Sequence, residues 1–320
     1  MPATNNEIAI TGATGFVGRE LTRLLSSSGL KVRAFAGPNS GSLSGTEQRV
    51  PDVIDITRRE TLSNKFSGCH MVCHTAGIAQ VNNMNPAVYP AVNTEGTRNV
   101  YLEAQKSGVE AFVFLSSSLA DTTANKTLTE YGKSKREAEN LLVDLNAADD
   151  MRLFILRPVN VYGPGMRGNL TKLMRLIHDK RIPGLPVIEN RISMISMEDL
   201  ARAVQLCLAS QSPGREPYLL SDGRQYSTRS IESAIYHALG REVPMLRCPH
   251  VVLYAAAGLA GFLGSMGLYK SGVSLRTYHN LVGDSLVSHE SISRDLGYEP
   301  KGNFLRDLPA ILEYELALSK

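Results

Sequence analysis

The chain of 320 residues sets 34 Lys and Arg against 31 Asp and Glu, a formal charge of +3 with the two signs interspersed. There is no basic block to mark a nucleic-acid surface, and 4 cysteines are too few for a disulfide scaffold, so a reducing cytoplasm is the expected compartment. At 43% hydrophobic residues the chain can fill a sizeable core, and the polar stretch Met1 to Asn6 before a short apolar run does not read as a signal peptide.

Glu7-Ile8-Ala9-Ile10 reads as a short buried strand, followed by Thr11-Gly12-Ala13-Thr14-Gly15-Phe16-Val17-Gly18 and an amphipathic helix to about Ser27. In this G-x-x-G-x-x-G turn Gly12 permits the tight bend and Gly15 lets the backbone approach a pyrophosphate. Gly18 lets the helix pack closely on the strand, and the N–H groups at the helix start, Phe16 and Val17, face the anion. Lys31 to Ala36 supplies the next strand and completes a βαβ unit. Further strands are expected near 50–54, 70–75, 111–115 and 152–157, with helices near 58–66, 86–107 and 130–147. That alternation predicts an α/β fold, a doubly wound parallel sheet with helices on both faces.

Cys69-His70-Met71-Val72-Cys73-His74 offers metal-ligating side chains, but an extended strand places Cys69, Met71 and Cys73 on one face and His70 and His74 on the other. Four convergent ligands are therefore not expected, and no metal is assigned.

The apolar run Phe112 to Leu115 ends in Ser116-Ser117-Ser118, and Tyr131-Gly132-Lys133-Ser134-Lys135 follows on a predicted helix. Tyrosine and lysine four residues apart share one helix face. An ammonium so placed is expected to favour phenolate and bring the Tyr131 pKa down toward working pH. Any of the three serines at the strand end is a candidate to hydrogen-bond the oxygen that gains or loses the proton.

After Gly163 the composition changes, with Gly and Pro punctuating 163–168 and 183–186. A Rossmann-type domain is expected over 1–162 with 196–222 returning to it, and a smaller lobe over 163–195 and 223–320. Val251 to Tyr269 carries no charged residue. Its glycines and its place late in the chain favour a helix packed in the smaller lobe, and weak membrane association through 251–269 is the other reading.

Taken together these motifs resemble the extended short-chain dehydrogenase/reductase family, whose members include NAD-dependent epimerases and dehydratases. The resemblance extends to Val53-Ile54-Asp55-Ile56, Cys73-His74-Thr75-Ala76-Gly77, Asn93-Thr94-Glu95-Gly96-Thr97-Arg98-Asn99, Arg157-Pro158-Val159-Asn160-Val161-Tyr162-Gly163-Pro164-Gly165 and Arg294-Asp295-Leu296-Gly297-Tyr298. It implies a Rossmann sheet with a smaller C-terminal substrate-binding lobe. It also implies a catalytic set of Ser117, Tyr131 and Lys135, with Ser117 chosen as the second residue past the strand. The cofactor, NAD or NADP, would meet Gly12, Gly15, Phe16, Val17, Gly18, Asp55, Ile56, Ala76, Gly77, Tyr131, Lys135 and Pro158. Ala36-Gly37-Pro38-Asn39-Ser40 lacks the acid that holds an NAD ribose, which leans the expectation toward NADP, although Arg33 is the nearest basic group.

Within that family the substrate half is similar to the UDP-2-acetamido-2,6-dideoxyhexulose 4-ketoreductases of bacterial surface-polysaccharide synthesis, with UDP-hexose 4-epimerases as near cousins. The implied substrate is a nucleotide-linked sugar, contacted by Ser117, Asn160, Asn169 and Arg191, and a homodimer is the implied assembly. Dehydratases of the family carry Asp-Glu directly after the catalytic hydroxyl, where this chain has Ser118-Leu119, so water elimination is not expected. The alternatives are a 4-epimerase, a dehydrogenase or reductase of a steroid-like or flavonoid-like ketone, and a non-catalytic nucleotide-binding regulator.

Overall fold

The computed structural model describes residues 7–38, 52–79, 85–122, 128–265 and 275–317. In chain order the first elements are β1 (Glu7–Thr11), α1 (Phe16–Ser27), β2 (Lys31–Ala36), β3 (Asp52–Val53), β4 (Met71–His74), α2 (Gly96–Lys106), β5 (Ala111–Leu115), α3 (Glu130–Asn146) and β6 (Arg152–Pro158). Then come β7 (Asn160–Tyr162), α4 (Asn169–His178), β8 (Met194–Ser196), α5 (Met197–Ala209), β9 (Tyr218–Leu220) and α6 (Thr228–Ala238). The last are α7 (His250–Ser265), α8 (Leu275–Val282), α9 (Glu290–Leu296) and α10 (Phe304–Ala317).

Seven strands form one sheet in the order β3-β2-β1-β4-β5-β6-β9, with every pairing parallel. Every residue of β4 and β5 is buried, as a parallel sheet covered on both faces requires. This is the Rossmann-like sheet that the alternation of apolar runs and amphipathic helices predicts. Under one face a core gathers Phe35, Phe66, Val72, Val100, Tyr101, Phe112 and Leu142.

The chain divides into two compact units. The first comprises Met1–Val159, Met197–Ser221 and Ser288–Pro300 and contains the sheet; the second comprises Asn160–Ser196, Asp222–Val287 and Lys301–Lys320. The smaller lobe expected over 223–320 is therefore interrupted, because Ser288–Pro300 belongs with the sheet. Buried Tyr298 donates its hydroxyl to the Ser221 carbonyl at 3.2 Å, and Tyr218 donates to the Asp295 carboxylate at 3.1 Å. The second unit pairs β7 with β8 and is organised around Asp222, which accepts hydrogen bonds from the hydroxyls of Tyr226 at 2.6 Å and Tyr162 at 3.3 Å. Both of those rings meet Phe304 edge-on.

Two expected elements differ. The helix expected near 58–66 is a single 3-10 turn, Arg59–Leu62, which ends before Asn64 at φ 58°. The helix expected over 86–107 opens as a π-helical turn, Pro90–Glu95, before α2 begins. Among the described residues no helix is long and apolar enough to cross a membrane.

Candidate active site

The three glycines of the first turn are required for three different reasons. Gly12 has φ +74°, and a Cβ there would lie 2.7 Å from the Ala76 Cα. A Cβ on Gly18 would overlap the Gly12 carbonyl oxygen, so only glycine lets α1 approach the strand end. Gly15 is unlike both: its φ of −69° is open to any residue, and an added Cβ would touch only the Gly12 carbonyl oxygen, at 3.3 Å. The fold itself therefore gives Gly15 little reason to be glycine. It is the N-cap of α1 and makes no side-chain capping bond, so the first N–H groups of that helix point past a residue with no side chain.

Ser117 and Tyr131 come from opposite ends of the segment that joins β5 to α3. Thr129 caps α3 by accepting from the Gly132 N–H at 3.0 Å. Gly132 is needed because a Cβ there would collide with the Leu119 carbonyl, and this close approach brings Tyr131 to Ser117. Of the three serines, Ser116 donates to the buried Glu139 carboxylate and Ser118 opens a 3-10 turn, while Ser117, whose Oγ accepts from the Leu119 N–H at 3.2 Å, is the one whose hydroxyl acts on the Tyr131 phenol and favours its ionised form. Tyr89 meets the Tyr131 ring edge-on, with centroids 6.2 Å apart.

The Tyr131 pKa is raised, which corrects the expectation of a lowered one. Burial is the largest cause, the Ser117 hydrogen bond opposes it, and Tyr89 adds to it. The Lys135 ammonium is turned elsewhere. It donates to the Leu115 carbonyl at 2.9 Å and sits 4.6 Å from the centre of the Phe114 ring. Burial lowers its own pKa to about 8, against an upward pull from Glu139. A lysine at about 8 when folded and about 10.4 when unfolded binds fewer protons in the folded state between those values, so stability rises with pH across that window. Cofactor-free protein is thus expected to gain stability from pH 8 to about 10.4, and Lys135→Met is expected to lack that rise in denaturant titrations.

A buried polar frame holds this group. Glu139 accepts from Arg157 Nε at 2.9 Å and Nη2 at 2.6 Å, and Arg157 Nη1 reaches Asp121 at 3.3 Å. Asn93, set by the π-helical turn, donates to Ser134 Oγ at 3.0 Å and to the Ile78 carbonyl at 3.1 Å, and accepts from the Ile78 N–H at 2.8 Å. Thr97 donates to the Asn93 carbonyl at 2.6 Å, so its oxygen accepts from His74 Nε2 at 3.0 Å. His74 Nδ1 is then the acceptor of the Thr11 hydroxyl at 2.7 Å. Burial, with the Lys135 charge, lowers the His74 pKa to about 3, so this ring is a neutral strut. Sequence reasoning passed over Glu139 and Asn93 as site residues. The signal for Glu139 was its spacing, since Tyr131, Lys135 and Glu139 recur every four residues along α3. Glu139→Gln leaves the Arg157 guanidinium buried without its carboxylate, and is expected to cost about 3 kcal/mol in urea unfolding.

Comparison with known proteins bears on this arrangement. A model of the NAD dependent epimerase/dehydratase family matches residues 8–220. The chain belongs to that family. A UDP-glucose 4-epimerase of Vibrio cholerae is 32% identical over 76% of this chain and 78% of its own length. A ceramide reductase of Caulobacter vibrioides is 30% identical over 81% of this chain and 78% of its own. The crystal structure of a Thermotoga maritima UDP-glucose 4-epimerase with UDP-glucose superposes with a TM-score of 0.75 at 19% identity, covering 98% of this chain and all of that one.

The residues present fit the dinucleotide of the family name. The deciding position is Gly15, where a side chain would meet the protein only at the Gly12 carbonyl oxygen and would stand beside a helix start that has no side-chain cap. Asp55 and Ile56 lie where β3 ends. The Asp55 carboxylate accepts from Thr57 N at 3.0 Å, and the Ile56 carbonyl accepts from Asn99 at 2.9 Å. Ala76 and Gly77 follow β4, and a Cβ on Gly77 would come within 2.8 Å of Asn93 Oδ1. Pro158 closes β6, buried opposite Leu220. Arg33 pairs with Glu7 and donates to the carbonyls of Lys65 at 3.1 Å and Ser67 at 3.0 Å, so it is already engaged. Ala36, Gly37 and Pro38 present no acid, and Asn39 and Ser40 lie outside the described residues.

Of the expected substrate residues, Ser117 belongs to the first unit, and Asn160, Asn169 and Arg191 belong to the second. Asn160 begins β7 and Asn169 begins α4, both exposed. Arg191 directs Nη2 at 2.6 Å and Nε at 2.9 Å onto Asp284, which fixes the fork of its guanidinium. No group of three His, Cys, Asp or Glu residues able to hold a metal occurs among the described residues. Burial raises the Cys69 and Cys73 thiols to about 11 and about 12, which keeps both protonated.

Proposed function

We propose that this chain interconverts alcohol and ketone at carbon 4 of a UDP-linked hexose by hydride transfer. One observation carries the reading: the buried Tyr131 phenol, set by the Thr129 cap and the close approach of Gly132 to the Leu119 carbonyl, in a chain 32% identical to a UDP-glucose 4-epimerase. The nicotinamide dinucleotide supplies the hydride chemistry when bound. Gly12, Gly15, Gly18 and the N–H groups of Phe16 and Val17 would hold its pyrophosphate, Asp55 and Ile56 would meet its adenine end, and Ala76, Gly77 and Pro158 would line its path. Tyr131 moves the proton on the oxygen at carbon 4, and its raised pKa keeps it protonated as a donor to the ketone. Ser117 would hydrogen-bond the same oxygen as charge develops, and Lys135, which here donates to the Leu115 carbonyl, would turn to hold the ribose. Asn160 and Asn169 would orient the uridine diphosphate, and Arg191, whose Nε and Nη2 are held by Asp284, would turn its remaining Nη1 donors to a phosphate.

Epimerisation is the first outcome of this chemistry, because of the 4-epimerase relative. Net reduction of a 4-keto sugar, which the sequence resemblance implies, is the second, and a reductase also stands among the relatives. The experiment is incubation with UDP-hexoses and UDP-4-ketohexoses while following nicotinamide absorbance and the sugars by chromatography. Interconversion without net cofactor turnover is expected for the epimerase, and stoichiometric turnover for the reductase. Cofactor binding with chemistry on neither sugar returns the assignment to a non-nucleotide ketone, and no chemistry on any ketone leaves a regulator. Arg191→Ala is expected to weaken UDP binding by about 1–3 kcal/mol in calorimetry while leaving cofactor affinity unchanged, as loss of a charge-assisted hydrogen bond would.

A further inference from the structure

We propose that Ser116 is a positioning residue for the reaction: its bond to Glu139 fixes the end of β5 so that the Ser117 hydroxyl is presented to Tyr131. The inference rests on the proposed hydride chemistry, in which Ser117 and Tyr131 act on one oxygen. β5 is apolar along its length, Ala111 to Leu115, and the first residue past it is a buried serine. Its hydroxyl donates to Glu139, whose Oε1 also accepts from Arg157 Nε at 2.9 Å and whose Oε2 accepts from Arg157 Nη2 at 2.6 Å. Each carboxylate oxygen thus has its own bond from Arg157, and Ser116 is not needed to satisfy the buried charge. The bond instead anchors the strand end to the ion pair that joins α3 and β6. The Ser116 N–H also donates to the Leu156 carbonyl of β6 at 2.8 Å, so the residue is held through both main chain and side chain.

Successive turns of α3 grip this strand end. Gly132 lies against the Leu119 carbonyl, Lys135 donates to the Leu115 carbonyl at 2.9 Å, and Glu139 accepts from Ser116. Ser117 sits among these ties, extended at φ −156° and ψ 147°, with its Oγ accepting from the Leu119 N–H at 3.2 Å. In an extended chain the direction of one side chain sets that of the next. Rotation of the strand end at Ser116 would therefore carry the Ser117 hydroxyl away from Tyr131. Lys135 is the tie that the proposed reaction would release, because its ammonium would turn to the ribose. The Ser116–Glu139 bond does not depend on Lys135, and it keeps Ser117 in place while the proton moves.

The test uses two variants of the full chain. Ser116→Ala removes the hydroxyl and leaves the Glu139–Arg157 pair complete, and Ser116→Cys fills nearly the same space with a much weaker donor. In hydrogen–deuterium exchange of the cofactor-free chain, both are expected to speed exchange over 115–120 at least about tenfold. Exchange in β1 should be unchanged and the thermal midpoint within about 4 °C of the parent. In turnover of UDP-hexoses or UDP-4-ketohexoses, both are expected to lower kcat about ten- to a hundredfold, with KM within about threefold. Because Ser116 acts through Ser117, adding Ser116→Ala to Ser117→Ala is expected to cost less than about threefold more. With an active parent, unchanged exchange over 115–120, parental kcat in either variant, or losses that multiply in full with that of Ser117→Ala would each overturn this inference alone. So would loss of the fold in both variants, which would assign Ser116 to stability. A parent inactive on both classes of sugar would overturn the proposed function, and this role with it.

Discussion

Tyr131→Phe is expected to lower turnover by about two to four orders of magnitude, the usual worth of a positioned general acid, with cofactor affinity within a few-fold of the parent. The substitution removes one oxygen and little volume. The ring keeps its contact with Tyr89, and α3 keeps its Thr129 cap. The loss should fall on kcat, because the hydroxyl acts where charge develops rather than where substrate is first held. Ser117→Ala is the companion variant, and it also raises the Tyr131 pKa further by removing the one hydrogen bond that pulls it down. Steady-state rates of the two variants check the assignment, and near-parental turnover in Tyr131→Phe would remove Tyr131 from the mechanism.

Gly15→Val is expected to abolish cofactor binding, a loss of about a hundredfold or more, or about 2.7 kcal/mol or more, while the folded chain persists. Gly15 lies at φ −69°, which any residue adopts, and a Cβ there would press on the Gly12 carbonyl oxygen at 3.3 Å, a contact relieved by a shift of a few tenths of an ångström. Its branched side chain fills the approach to the first N–H groups of α1. Gly18→Val is the contrasting case, since its side chain would overlap the Gly12 carbonyl and is expected to unfold the β1–α1 junction. Fluorescence titration with NADH and NADPH, beside a thermal melt, separates the two. Parental affinity in Gly15→Val would show that the glycine turn serves packing alone.

The fold was readable because its determinants are local. Short uninterrupted apolar runs such as Phe112 to Leu115, bounded by polar residues, read as strands buried on both faces, and the glycine spacing after β1 sets a strand–turn–helix. The one-turn segment after Ile56 was not readable. The amphipathic pattern of Arg59 to Phe66 suits a helix, but Asn64 adopts a left-handed conformation that ends it. Nor was the return of Ser288–Pro300 to the sheet, which depends on Tyr298 finding the distant Ser221 carbonyl. At the site, the spacing of Tyr131 and Lys135 showed a shared helix face but not the direction of their pKa shifts. Burial is a property of the whole fold, and it outweighs the single charge that sequence reasoning considered. Glu139 and Arg157 show the same limit, because their ion pair joins α3 to the following strand β6 and depends on how that helix packs on the sheet.

The central claim is hydride transfer at carbon 4, and a deuterium label tests it most directly. UDP-hexose carrying deuterium at carbon 4 is incubated with the protein and NAD, and the products are read by proton NMR and mass spectrometry. Inverted sugar that keeps its deuterium at carbon 4 is the predicted result for epimerisation. For reduction, the matching result is deuterium passing from labelled reduced nicotinamide to carbon 4 of a UDP-4-ketohexose. Product bearing solvent hydrogen at carbon 4, or label retained only in unreacted sugar, would contradict the account.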